Sequence, residues 1–304
     1  MLDKNKYGMR LVPIVTPFKD DMSVDFEALI KIGEILIERD FADSFILTGT
    51  TGEFFTMNYE ERVKVFTIMK EHFGSKIPLI AHTGAVSTKE AIALTQKAEE
   101  LGFELVMIAP PYYTKPSPKE IINHFSLIAD STKLDIMLYN IPIFAGVNID
   151  PESVKVLIKK KNIVAIKEEA ELRPKQMSEY LLATPEDFLV YCGDDSMILE
   201  ALAQGGSRIG GFVSGGSHLI GDKIKKMIDS FLSGNVAEAS KMQLAFLPLI
   251  RSFSQNGRSN PVCLLKGAME LIGFPRSLPR LPLMPATESE MEVVKAHMRA
   301  LNIL

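Results

Sequence analysis

Only two cysteines, Cys192 and Cys263, occur in 304 residues, and they lie far apart. No disulfide framework and no cysteine metal site has that spacing, so both read as reduced core residues. The five histidines, His72, His82, His124, His218 and His297, form no HxxxH or HxxE pattern, which argues against a zinc site. No block of basic residues interrupts a chain of net charge −4, and this excludes nucleic acid and anionic membrane surfaces as expected partners. No apolar run reaches the roughly 18 residues of a membrane span. The start, "MLDKNKYGMRLVPIVTPF", has no apolar stretch behind a basic segment, so a signal peptide is not expected and the cytoplasm is the expected compartment. Finally, no GxGxxG turn follows the first apolar run, where a dinucleotide-binding sheet would carry it.

What is present is a rhythm. Eight short apolar runs recur: "RLVPIV" from 10, "SFILTG" from 44, "PLIAHT" from 78, "ELVMIAP" from 104, "DIMLYN" from 135, "IVAIK" from 163, "FLVYC" from 188 and "RIGGFVS" from 208. Helical periodicity fills the gaps between them, as in "DFEALIKIGEILIER" from 25 and "NYEERVKVFTIMKEHF" from 58, where Asn58 and Glu61 make a capping-box pattern. Parallel strands need helical crossovers and, buried on both faces, read as continuous apolar runs. Eight such units across about 220 residues predict an α/β fold, a (β/α)₈ TIM barrel, with a doubly wound open sheet as the rival. From Asn235 onward three helical segments follow without a strand. The expected division is a barrel over 1–232 and a three-helix C-terminal extension over 233–304.

Barrels of this kind carry their sites at the carboxyl ends of the strands. Lys167 ends an apolar strand there, and burial is expected to lower its pKa and leave a nucleophilic amine able to form a Schiff base. The alternative is a lysine reaching outward to pair with Glu168 or Glu169. "GTTGE" (49–53) offers hydroxyls and backbone N–H groups to an oxyanion, or else Thr50 or Thr51 caps the next helix. Tyr139 is a proton donor or relay near the strand-end amine, linked through Thr50 to another phenol such as Tyr113, or a rim tyrosine of the core. Asp194 and Asp195 suit helix capping and turns better than metal binding. His82 and His218 fall near strand ends and either touch substrate or are satisfied in the core. Paired glycines at 205–206, 210–211 and 215–216 flank the eighth strand, which keeps a phosphosugar enzyme as a rival.

The ordered set "GTTGE", "PPYYTKPS", "YNIP", "AIKE" and "GDD", on a barrel with a helical tail, resembles the dihydrodipicolinate synthase and N-acetylneuraminate lyase family over nearly the whole chain. The resemblance implies a pyruvate Schiff base on Lys167, with no metal and no organic cofactor. It implies that Tyr139 shuttles the proton, that Thr50 connects it to a second tyrosine, and that Tyr113 matches that second tyrosine, which family members supply from a neighbouring subunit. Thr50 and Thr51 would hold the keto acid's carboxylate, and Val213 matches a position whose backbone carbonyl faces the pocket. A homotetramer, a dimer of dimers, is the family habit, and the expected partners are pyruvate and an aldehyde.

One position departs from the family. In the dihydrodipicolinate synthases an arginine two residues after the "YNxP" proline binds the carboxylate of aspartate semialdehyde, and here that position is Phe144. A phenyl ring offers neither charge nor donor. The expected activity is therefore a lyase of the class I aldolase type acting on a 2-keto-3-deoxy sugar acid, releasing or adding pyruvate. The alternatives are 4-hydroxy-tetrahydrodipicolinate synthase and a sugar-acid dehydratase using the same imine.

Overall fold

The computed structural model describes residues 2–169 and 174–304. All eight apolar runs become strands: β1 (Arg10–Pro13), β2 (Ser44–Leu47), β3 (Leu79–His82), β4 (Leu105–Ile108), β5 (Asp135–Asn140), β6 (Ile163–Glu168), β7 (Leu189–Cys192) and β8 (Ile209–Val213). Every neighbour in the order β1-β2-β3-β4-β5-β6-β7-β8 pairs in parallel, and β1 pairs with β8, so the barrel is closed. Closure removes the open-sheet alternative.

Strand side chains alternate between two faces, and the alternation sorts the core in two. Leu11, Ile46, Ile80, Leu105, Met107, Met137, Ala165, Leu189 and Tyr191 fill the barrel interior. Val12, Phe45, Ala81, Val106, Ile136, Leu138, Ile166, Val190 and Phe212 face outward under the surrounding helices. At the amino end of the strands Arg10, fully buried, pairs with Asp43 and Asp40 at 2.6 and 2.8 Å and closes the bottom with satisfied charge.

Helices cross between the strands as the periodicity predicts. The helix Tyr59–Phe73 begins at Asn58 with both halves of the capping box formed, its side chain accepting from Glu61 N–H at 2.8 Å. After β5 the chain does not run on as a loop. Pro142 opens a one-turn helix, Pro142–Ala145, and Gly146 ends it with φ +69°, a conformation glycine adopts without a Cβ penalty.

Beyond the last barrel helix, Ser217–Leu232, the expected three helices are present: Val236–Ser252, Val262–Leu271 and Glu288–Ala300. Their buried residues Leu249, Val262, Leu265 and Val294 join the same apolar cluster as the barrel's outer face. A buried ion pair fastens them further. Lys266 bonds to Glu53 in the β2 turn and donates to the Thr16 and Leu278 carbonyls at 2.7 and 2.8 Å. Glu53 in turn accepts from Arg280 N–H at 2.8 Å. The helical segment is thereby bolted to the turn that carries Thr50 and Thr51. Among the described residues no helix is long and apolar enough to cross a membrane.

Candidate active site

Strand β6 places three consecutive charged residues, and the pleat decides their fates. Lys167 points into the barrel, in register with Tyr139 of β5 and Tyr191 of β7. Glu168 points outward, where Asn140 and Gln176 donate to it at 3.1 and 3.3 Å in a buried polar network beneath the helices. Glu169, one residue past the strand, returns to the inner side, and its backbone N–H bonds Asn140 O at 3.0 Å. Ala170, the last residue of the segment 165–170 read from the sequence, lies outside the described residues.

Lys167 Nζ lies 2.8 Å from Glu169 Oε2 and 4.0 Å from the centre of the Tyr139 ring. Tyr139 Oη donates to the same Glu169 Oε2 at 3.2 Å and shares a hydrogen bond with Thr50 Oγ1 at 3.3 Å. A chain of four polar groups therefore runs from amine to carboxylate to phenol to hydroxyl. Thr50 caps neither following helix: the one-turn 3-10 helix Phe54–Thr56 has Glu53 at its N-cap without a side-chain bond, and the helix Tyr59–Phe73 is capped by Asn58.

The expected lowering of the Lys167 pKa is corrected by this geometry. Burial does pull it down, but the adjacent Glu169 carboxylate, with Tyr139 behind it, outweighs burial and raises the pKa above the ordinary lysine value. Tyr139 is pushed up to about 12, by burial first and by Glu169 second. Burial also raises the Glu169 carboxyl, an effect that Lys167 opposes. The resting geometry is that of a buried lysine–carboxylate ion pair.

Two glycines make room for this arrangement. A Cβ on Gly193 would fall 2.3 Å from Lys167 Cε and 2.8 Å from Glu169 Oε2. One on Gly210 would fall 2.3 Å from the Tyr191 ring. The glycine of "GDD" thus leaves the space in which Lys167 and Glu169 meet.

Above Lys167 opens a cavity of about 440 Å³. Thr50, Thr51, Tyr139, Phe144, Lys167 and Val213 all line it, so six of the seven positions that the family resemblance sets at the site converge. The seventh, Tyr113, lies in the loop after β4, is 83% exposed and does not line the cavity of its own chain. Ile250, Phe253, Ser259 and Asn260, from the helical segment after the barrel, form part of the wall. Sequence reasoning passed over these four and treated Glu169 only as a possible ion-pair partner.

Asp194 and Asp195 keep the turn roles expected of them. Asp194 accepts from Ser196 N–H at 2.8 Å, and Asp195 accepts from Gly216 N–H at 2.7 Å. Both also line the cavity, and burial raises the Asp195 carboxyl to about 6. His82 and His218 are fully buried and do not line it. His82 Nδ1 bonds Thr48 O at 2.9 Å, and His218 Nδ1 bonds Gly215 O at 2.8 Å, so both brace strand ends. Burial lowers both pKa values, that of His218 to about 4. Both cysteines are buried free thiols. Among the described residues no group of three His, Cys, Asp or Glu side chains is gathered to hold a metal ion.

Comparison with known proteins agrees with this geometry. The profile of the Dihydrodipicolinate synthetase family matches residues 6–301. A 4-hydroxy-tetrahydrodipicolinate synthase of Desulforudis audaxviator is 39% identical over 298 residues, covering 98% of this chain and 99% of the relative. One of Desulforamulus reducens is 40% identical over 299 residues, covering 98% of each. The solved dihydrodipicolinate synthase of Bacillus anthracis superposes with a TM-score of 0.91 at 35% identity, covering 98% of this chain and 99% of that one. With its closed barrel, its strand-end lysine and tyrosine, and a match along almost its whole length, the chain belongs to the dihydrodipicolinate synthetase family of pyruvate-dependent class I aldolases and lyases.

Proposed function

We propose that Lys167 condenses with the ketone of pyruvate and that the resulting enamine forms a carbon–carbon bond with an aldehyde. The observation that carries this reading is the Lys167 amine at the floor of the cavity, joined to Tyr139 and Thr50 by hydrogen bonds. A protonated imine is an electron sink, so it stabilises the carbanion at the neighbouring carbon, and Tyr139 supplies or removes the protons. The hydroxyls and N–H groups of the Thr50–Thr51 turn receive the keto acid's carboxylate, and the Val213 carbonyl completes the wall.

For the aldehyde, kinship supports aspartate semialdehyde, because relatives near 40% identity are named 4-hydroxy-tetrahydrodipicolinate synthase. It supports this alternative better than the sugar acid expected first. A specific observation keeps the sugar-acid reading as the second. Phe144 lines the cavity, and among the described residues Lys167 is the only lysine or arginine that does. Glu169, Asp194 and Asp195 make the remaining charged wall acidic. Carboxylates accept hydrogen bonds from hydroxyls and repel a second carboxylate. The exposed Tyr113 supports its assignment to the site of a neighbouring copy, within the tetramer expected of the family.

Borohydride reduction with pyruvate tests the core of the proposal. One pyruvate-derived mass on Lys167 is expected, and a folded protein that gains none refutes it. Turnover with aspartate semialdehyde, run beside pyruvate release from a panel of 2-keto-3-deoxy acids and detection of dehydration products, decides among the substrates.

A further inference from the structure

We infer that Glu169 is a catalytic acid–base residue of the imine-forming step, the immediate proton acceptor for Lys167. This role rests on the pyruvate imine proposed above.

An ammonium has no lone pair, so a Lys167 held as an ammonium is not a nucleophile. Something within hydrogen-bond reach must take its proton after the keto acid has bound. Glu169 Oε2, at 2.8 Å, is the carboxylate in that position. Tyr139 lies over Lys167 with its ring, and its hydroxyl hydrogen is already directed to Glu169 at 3.2 Å. The phenol therefore donates to the carboxylate in the resting site and is not free to act as the first base. The surroundings keep Glu169 basic enough for the task. Burial raises its carboxyl and the nearby Asp194, which lines the same cavity, adds to the rise, while Lys167 and Tyr139, its hydrogen-bonded partners, act against it.

The step balances. Lys167 ammonium gives one proton to Glu169, and the neutral amine attacks the ketone carbon to form a carbinolamine, with its proton passing to the oxygen. Glu169 then returns its proton to the hydroxyl, which leaves as water while the nitrogen lone pair forms the protonated imine. An ammonium and a ketone become an iminium and one water, and Glu169 ends as the carboxylate it was. The same carboxylate then faces the iminium charge.

The pleat gives the assignment its specificity. Glu168 faces outward into the Asn140 and Gln176 network, so it has no access to the amine. Gly193 keeps open the space in which Glu169 meets Lys167.

The test is rapid-quench borohydride trapping of the pyruvate adduct, read by intact mass against pH, for wild type, Glu169→Gln and Glu169→Ala, each checked for folding by its melting curve. Adduct formation at saturating pyruvate and neutral pH is expected to slow by about 10²-fold or more in both variants. Added formate should restore part of the Glu169→Ala rate in proportion to its concentration, which a merely structural carboxylate would not allow. The inference is overturned if Glu169→Gln traps pyruvate at the wild-type rate or faster with its profile moved to lower pH, since Glu169 would then only restrain the ammonium. It is equally overturned if both variants are slow and formate rescues neither. Should Glu169→Gln fail to fold, formate rescue of Glu169→Ala decides alone. A wild-type protein that gains no adduct refutes the imine itself, and this role falls with it.

Discussion

Replacing Gly193 with alanine tests whether the close approach of Lys167 and Glu169 is required. The added Cβ would lie 2.3 Å from Lys167 Cε and 2.8 Å from Glu169 Oε2, where unstrained carbon contacts need about 3.5–4.0 Å. Both side chains must give way, and the lysine is the more confined, being 4% exposed with its amine against the Tyr139 ring. Overpacking of this size costs about 1–3 kcal/mol of stability, a loss that leaves a domain of this size folded. The catalytic effect should reach the upper end of that range. A reacting nitrogen displaced by about 1 Å loses of order 10²-fold in rate, equivalent to about 2.7 kcal/mol in the imine-forming barrier. The assay pairs a thermal melt with the rate of pyruvate adduct formation. A folded Gly193→Ala protein that traps pyruvate at the wild-type rate would show that the pair's geometry is irrelevant to imine formation.

Other consequences are equally accessible. Lys167→Ala should abolish both adduct and turnover, while Tyr139→Phe should fold normally and lose about 10²–10⁴-fold in kcat, read by steady-state kinetics. Phe144→Arg should leave pyruvate trapping intact and lower KM for aspartate semialdehyde at least tenfold; if the native chain already condenses that aldehyde efficiently, the argument drawn from Phe144 fails. Lys266→Met strands the buried Glu53 carboxylate and should cost about 3–5 kcal/mol by denaturant titration, with much of the loss recovered in the Glu53→Gln, Lys266→Met double variant. Arg258, and behind it the Thr287 backbone, hold the Glu290 carboxyl down to about 2. A depressed carboxyl stabilises the fold above its unfolded pKa and ceases to do so as pH falls through its folded one. The Tm difference between wild type and Glu290→Gln should therefore be greatest above pH 5, reflecting about 1–3 kcal/mol, and shrink towards pH 2.

The barrel was legible because each strand is a short apolar run buried on both sides, and because capping signals such as Asn58 with Glu61 mark where helices begin. Lys167 and Tyr139 stood out as polar groups ending apolar strands, a local conflict that a site explains and that the family motifs then set apart from an outward-reaching lysine and a rim tyrosine. Glu169 did not stand out, because its side depends on whether the pleat persists one residue beyond β6, which "KEEA" does not state. The error over the Lys167 pKa has the same origin. Burial is readable from an apolar strand, but a carboxylate at 2.8 Å is a property of folded geometry. Ile250, Phe253, Ser259 and Asn260 were invisible as wall residues, since their place above the barrel is set by how the last helices fold back.

The bond between Lys266 and Glu53 has a consequence for anyone recombining this protein with its relatives. A crossover placed after the last barrel helix looks harmless, since it cuts between units and spares every strand. It would nonetheless exchange the cation that neutralises Glu53, and Glu53 belongs to the turn bearing Thr50 and Thr51. Chimaeras should stay active only when the donor tail restores a positive group at position 266, so the tail and the second turn are inherited as one unit.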